Sequence, residues 1–389
     1  MSRNEALQYL NIAHFFDHFF LLIFPTAVLA IAPAWNMSFS EVLILSTPMY
    51  VMFGLCTLPA GWLGDRIDRM ILIAVFFIGC GLAGYGISFT NNPITMAIGL
   101  GVLGMFAAIY HPVGLAQVTL TGVRTGRALA INGVFGNMGL AGAAAITGAI
   151  VQFWNWQAAF VLPSTISILI GVLILFRDRG SLADLFCRTK DEKLKTTYKS
   201  LRQIQKTVFT VVCISALLGG FIFNIVTISL PKFLEERLMA DINSLAWIGA
   251  SAGLVFAVAA FAQLPVGEML DRIGARPILL RLLFMQIILM LLLMQVSGWS
   301  ALILILILVV LIFAQIPITT WLLGKYLDSR IRSRVVSVEY ILSLGVGSTA
   351  VPLIAFLHEN SIGFSYQFMG LALLAMVIFM AAKFLPDHK

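Results

Sequence analysis

The chain has 389 residues, of which 60% are hydrophobic and 11% charged. Soluble domains carry about 45–50% apolar and about 25% charged residues, so a water-soluble enzyme of this length is excluded. The net charge of +7 is no nucleic-acid signature, because the basic residues fall in alternate loops between apolar runs, which is an orientation signal.

A bilayer core takes about 20 apolar residues per helix. The sequence predicts twelve such helices, over 8–33, 41–63, 70–90, 93–118, 126–152, 156–176, 206–232, 243–269, 277–296, 299–325, 333–357 and 362–384. The first run is too long for a signal-peptide core and lacks a small-residue cleavage site, so it is expected to remain as a membrane helix. With both termini cytoplasmic, every Lys and Arg except Lys232 and Arg237 falls in an inner segment, as the positive-inside rule requires. Lys232, near the outer end of the seventh run, is expected to snorkel. Cys56, Cys80, Cys187 and Cys213 show no CxxC pairing and read as small hydrophobes without a redox role.

Ionisable side chains inside membrane helices are costly, so each is a functional candidate. Asn11, His14 and His18 are spaced 3 and 4 apart in the first run and share one helix face, with Asp17 beside it. In the fourth run Tyr110 and His111 precede Pro112, and His14 and His111 lie at similar depth, about 9–10 Å from the cytoplasmic helix ends. An imidazole titrates near pH 6.5. Asp17, His14, His18 and His111 are therefore expected to serve proton coupling. Two readings stay open beside it. His14-x-x-x-His18 is a metal-ligand spacing, with His111 as a third imidazole and Asp17 as the hard ligand. The same residues could also form a structural hydrogen-bond network joining two helices.

Neutral polar residues in the membrane runs either bind substrate or join helices. Tyr110, Asn132, Asn137, Asn224 and Gln315 are the expected substrate-binding residues. Gly133, Gly136, Gly139 and Gly142 recur three apart in the fifth run and make a smooth face, either for tight packing or for sliding. The polar stretch from Arg177 to Gln205 reads as a cytoplasmic linker. It divides the chain into a six-helix bundle over 1–176, a linker over 177–205 and a second six-helix bundle over 206–389. No Walker A motif, dinucleotide Gly fingerprint or zinc spacing of Cys and His occurs, so no ATP-driven step, enzyme activity or cofactor is expected.

One motif occurs twice. Gly61-Trp62-Leu63-Gly64-Asp65-Arg66-Ile67-Asp68-Arg69 is echoed 206 positions later by Gly267-Glu268-Met269-Leu270-Asp271-Arg272-Ile273-Gly274-Ala275-Arg276. Pro25 and Pro231 keep the same offset, and Arg127 and Arg334 and Pro112 and Pro317 keep it within one residue. A duplicated apolar chain is the mark of a transporter built from two related halves. An acid at a helix end beside basic residues can hold a neighbouring Arg or a helix N-terminus. Gly61, Asp65, Arg66 and Arg69, with Gly267, Asp271 and Arg272, are therefore expected to latch one conformation. Glu339, the repeat partner of Asn132, is expected to join that latch.

At these residues the chain resembles the major facilitator superfamily, whose loop after the second helix has the form Gly-x-x-x-Asp-Arg-x-Gly-Arg-Arg/Lys, with a weaker copy after the eighth. Asp68 stands here where that family has Gly. The resemblance implies an all-α integral membrane protein of 12 transmembrane helices in two pseudo-symmetric six-helix bundles. The first half also resembles the fosmidomycin-resistance type of efflux protein, through His14-Phe15-Phe16-Asp17-His18 with Pro25, Tyr110-His111-Pro112-Val113 and the Gly-rich fifth helix. It departs from that type at Asp17 and His18, where Asn and Asp stand, at Val113, where an acid follows His-Pro, and at Gly142-Ala143-Ala144, where exporters have Gly-Pro. The expected function is alternating-access efflux of a small organic solute driven by protons, in a monomer of the cell inner membrane. The alternatives are an importer or metallophore carrier of the same fold, and a membrane enzyme or assembly factor.

Overall fold

The computed structural model describes residues 2–121, 125–177, 203–238, 244–326, 339, 341–343 and 345–386. All regular elements among the described residues are helices. Twelve of them are long and apolar enough to cross a membrane: α1 Arg3–Ala34, α2 Phe39–Gly64, α3 Arg69–Ser88, α4 Pro93–Val118, α5 Ala128–Phe153, α6 Trp156–Arg177, α7 Gln203–Leu238, α8 Leu245–Leu270, α9 Ala275–Leu293, α10 Gly298–Leu323, α11 Ile341–Glu359 and α12 Phe364–Ala382. The linker expected over 177–205 lies almost wholly outside the described residues, as do most of 333–340, Arg334 and the side chain of Asp271.

Polar helix starts extend the elements beyond their apolar runs. Ser2 and Glu5 form a capping box at the start of α1, and Ser38 and Glu41 form another at the start of α2. Each satisfies two backbone donors that the first turn leaves without a partner. The side chain of Asp68 accepts from the backbone N–H of Met70 at 2.8 Å and of Ile71 at 3.3 Å. The residue standing where glycine is usual thus starts α3 as its N-cap.

The chain packs into two compact units. Met1–Lys190 and Ile242–Ala257 make up the first, and Asp191–Asp241 and Val258–Lys389 the second. In the first unit α1 packs along α5, α3 along α6 and α2 along α4. The α1–α5 approach is close because α5 presents small residues: a Cβ at Gly139 would lie 2.2 Å from the Phe15 carbonyl oxygen. Gly136 and Gly142 face His14 and Phe15 on the same helix. This glycine face is a packing surface for α1. The start of α8 belongs to this unit because Gly148 of α5 meets it closely, a Cβ there lying 2.6 Å from the Leu245 carbonyl oxygen. The ion pair of Arg177 with Glu5, at 3.2 Å, brings the start of α1 and the end of α6 to one end of the unit. In the second unit α9 packs against α10 and α12, and α7 against α10, α11 and α12. Leu55, Leu58 and Trp62 of α2 and Leu291, Leu292 and Ile303 of α9 and α10 are exposed, as expected of side chains that meet lipid.

Candidate functional site

The first unit gathers its polar residues around Asn132 of α5, which is fully buried. Its Nδ2 donates to the Leu10 carbonyl at 3.2 Å and to Asn11 Oδ1 at 3.0 Å. Its Oδ1 accepts from the Tyr110 hydroxyl at 3.0 Å. Both Oδ1 and the Asn132 backbone carbonyl lie within 2.9 Å of His14 Nδ1. A carbonyl oxygen only accepts, so Nδ1 carries the proton of the neutral His14 ring and Nε2 keeps a bare lone pair. That Nε2 is buried without a hydrogen-bond partner among the described residues.

Next to this hub stands a carboxylate–imidazole pair. Asp17 is fully buried, and its Oδ2 lies 3.1 Å from Nε2 of His111. His111 sits where α4 departs from regular geometry: Tyr110–Gly114 form a wide π-helical turn. Pro112 within it has no N–H to give to the helical ladder, and such turns recur at functional sites. The His14, His18 and His111 rings form a triangle with centroids 5.0–5.5 Å apart, and Tyr110 stacks on His14 at 4.8 Å. One ring nitrogen from each histidine lies within 4.8 Å of the other two. His14 and His111 are buried, whereas His18 is half-buried.

The structure thus brings together Asp17, His14, His18, His111, Tyr110 and Asn132, which sequence spacing placed on three separate helices. Tyr110 and Asn132 are committed to hydrogen bonds with each other and with α1. Asn137 is buried, with its Nδ2 unpartnered among the described residues. The space around His14 depends on Gly136, where a Cβ would lie 2.5 Å from His14 Nε2. Gly136→Ala is expected to push the ring off Asn132 and lower the thermal midpoint, an overpacking effect worth about 1–3 kcal/mol. Combining it with His14→Ala should recover part of the loss, because the smaller side chain makes room; two additive losses would show that the ring does not occupy that space.

The repeated loop reaches the same region. A Cβ at Gly61 would lie 3.5 Å from Pro112 Cβ, and one at Gly64 3.0 Å from Val113 Cγ2, so the end of α2 rests on the π turn that carries His111. Asp65 pairs with Arg69 at 3.8 Å, while Arg66 lies over the Trp62 ring and donates to the Trp62 carbonyl. In the second copy Arg272 pairs with Glu268, a Cβ at Gly267 would meet nothing within 4 Å among the described residues, and Gly274 turns the chain at φ 79°.

In the second unit Asn224 donates to the Gly220 carbonyl at 2.8 Å and to that of Ser343 at 3.4 Å, joining α7 to α11. Gln315 Oε1 accepts from Gln286 at 3.3 Å, and Gln286 also donates to the Leu311 carbonyl. The Thr319 hydroxyl donates to the Ile316 carbonyl at 3.3 Å. Lys232 Nζ lies 2.6 Å from Glu235 and 3.5 Å from Glu236, one turn further along α7, and Glu236 in turn lies 3.6 Å from His358 Nε2. The acids at positions 3 and 4 beyond Lys232 carried that signal in the sequence, as did the Ser-x-x-Glu capping boxes. The role of buried Gln286 had no sequence signal.

The model of the Major Facilitator Superfamily matches residues 10–253 and 212–389, together nearly the whole chain. The chain belongs to that superfamily. It is a membrane transporter and not an enzyme. It superposes on a bacterial homolog of the human lysosomal transporter Spinster, in an inward-facing and unoccupied conformation, with a TM-score of 0.74 at 14% identity, covering 98% of this chain and 97% of that one. A POT family transporter in complex with 5-aminolevulinic acid gives a TM-score of 0.74 at 14% identity, covering 97% and 95%. A mutant of the peptide transporter POT in complex with alafosfalin gives 0.74 at 13%, covering 97% and 94%. At these identities the likeness concerns the fold. Among curated protein sequences none matches the chain.

Proposed function

We propose that this secondary transporter moves a small organic solute out of the cell in exchange for protons. Two bundles, over 1–176 and 206–389, joined by the cytoplasmic linker 177–205, act as a monomer in the cell inner membrane with both termini inside. The observation that carries this reading is the Asp17–His111 contact. A fully buried carboxylate is expensive to charge, and at 3.1 Å Asp17 Oδ2 and His111 Nε2 are close enough to share a proton. Loading or removing that proton changes the charge of the bundle core. A bundle that rearranges between two states can use that change to drive transport. His14 and His18 stand beside the pair and tune it.

Asn137, Asn224 and Gln315 are the residues proposed to meet the solute. Tyr110 and Asn132 join them only by exchanging their present partners. The small molecules held by the POT family neighbours support a small solute here, and the resemblance of the first half to the fosmidomycin-resistance type supports outward movement. The repeated loops, with Glu339, act as the latch of the state closed to the cytoplasm. Flux in proteoliposomes tests the reading. An imposed pH gradient is expected to drive uphill solute movement against the flow of protons, and a protonophore to stop it. Flux indifferent to the gradient and its collapse would overturn the proposal.

A further inference from the structure

We infer that His14, His18 and His111 form a binding site for a divalent first-row transition-metal cation, with Zn2+ as its probe. Three neutral imidazoles are a fitting donor set for such ions, and three protein ligands with a fourth position left open is a familiar zinc arrangement. The nitrogens already lie within 4.8 Å of one another. Zinc–nitrogen bonds of about 2.0–2.1 Å put tetrahedral ligand atoms roughly 3.4 Å apart, so side-chain rotations of about an ångström close the site.

The supporting contacts point the same way. A metal-bound imidazole donates its other N–H to a carbonyl or carboxylate, which fixes the tautomer and ring plane. His14 does so through Nδ1 to Asn132, which leaves Nε2 as the nitrogen to offer, and that atom is buried without a hydrogen-bond partner among the described residues. His111 places its Nε2 3.1 Å from the Asp17 carboxylate, within reach of the same kind of support when a cation is bound. His18 is the half-buried member, so a cation enters past it. The bound cation would tie α1, which carries His14 and His18, to α4, which carries His111. The site shares His111 with the pair proposed to hold the coupling proton, but it stands whether or not transport is proton-driven.

The test is zinc binding by the purified full-length protein after treatment with chelator. One zinc per chain is expected, with a raised thermal midpoint, because a ligand that binds only the folded state stabilises it. His18→Ala should weaken binding at least tenfold and remove the thermal shift; it leaves the Asn132 hub and the Asp17–His111 contact intact. His111→Ala should weaken binding similarly, and His358→Ala should leave it unchanged. Absence of stoichiometric zinc, or equal affinity in wild type and His18→Ala, overturns the site. A chain that binds no zinc yet moves solute under a pH gradient refutes this inference and leaves the proposed function standing. A chain that binds zinc in this pattern and ignores the gradient does the reverse.

Discussion

Asp17→Asn is expected to abolish gradient-driven transport, reducing uphill solute movement in proteoliposomes to that of protein-free vesicles. The substitution keeps the size of the side chain and its place beside His111, but an amide neither takes up nor releases a proton. Folding should survive, because a neutral amide is cheaper to bury than a carboxylate; expression and thermal midpoint should match or exceed the wild type. Downhill exchange of solute should persist, since the path for the solute is unchanged. Wild-type gradient-driven flux in this variant would remove Asp17 from the coupling role.

Much of the architecture was legible in the chain because it follows from one-dimensional signals. Apolar runs of bilayer length, alternating loop charge and the repeat at an offset of 206 fix helix number and family without any knowledge of packing. Helix ends were less legible where polar residues carry the helix onward: α7 runs to Leu238, past its apolar run, because Lys232, Glu235 and Glu236 pair along its surface. The residues of the site could be named from their cost in a membrane, but their partners could not. Nothing local says that Asn132 reaches Leu10, Asn11 and His14 on α1 and Tyr110 on α4, or that Gly136 makes room for His14. Those facts depend on how closely α1 and α5 approach, which is settled in three dimensions by Gly139 against the backbone of Phe15. The loop signature was similarly half-read. Its glycines suit close contact, and the contact they make is with the turn that holds His111. The cap supplied by Asp68 appeared from the family pattern only as a departure.

The second large effect concerns that loop. Asp65→Asn is expected to shift the conformational equilibrium at least tenfold toward the state open to the cytoplasm, and to slow turnover, with little change in the intrinsic affinity for solute. The contact of Asp65 with Arg69 cannot supply such an effect. It is 3.8 Å long, the Asp65 side chain is 68% exposed, and exposed pairs are worth about 0–1 kcal/mol. A tenfold shift needs about 1.4 kcal/mol, which a charge-assisted hydrogen bond of roughly 1.5–3 kcal/mol provides. The expected effect therefore requires Asp65 to change partner when the cytoplasmic side closes. Distances between spin labels at the cytoplasmic ends of α4 and α10 read the equilibrium directly. An unchanged distribution with normal turnover would reduce the motif to a positive-inside turn.

An exchange of solute for protons through the Asp17–His111 pair implies that the two compete for the transporter. It is tested most directly by measuring protons released when solute is added to the purified transporter in weakly buffered detergent solution. Wild-type protein should release protons in proportion to the solute bound, and Asp17→Asn should bind solute while releasing none. Equal release from the two proteins, or binding by the wild type without release, would contradict that competition.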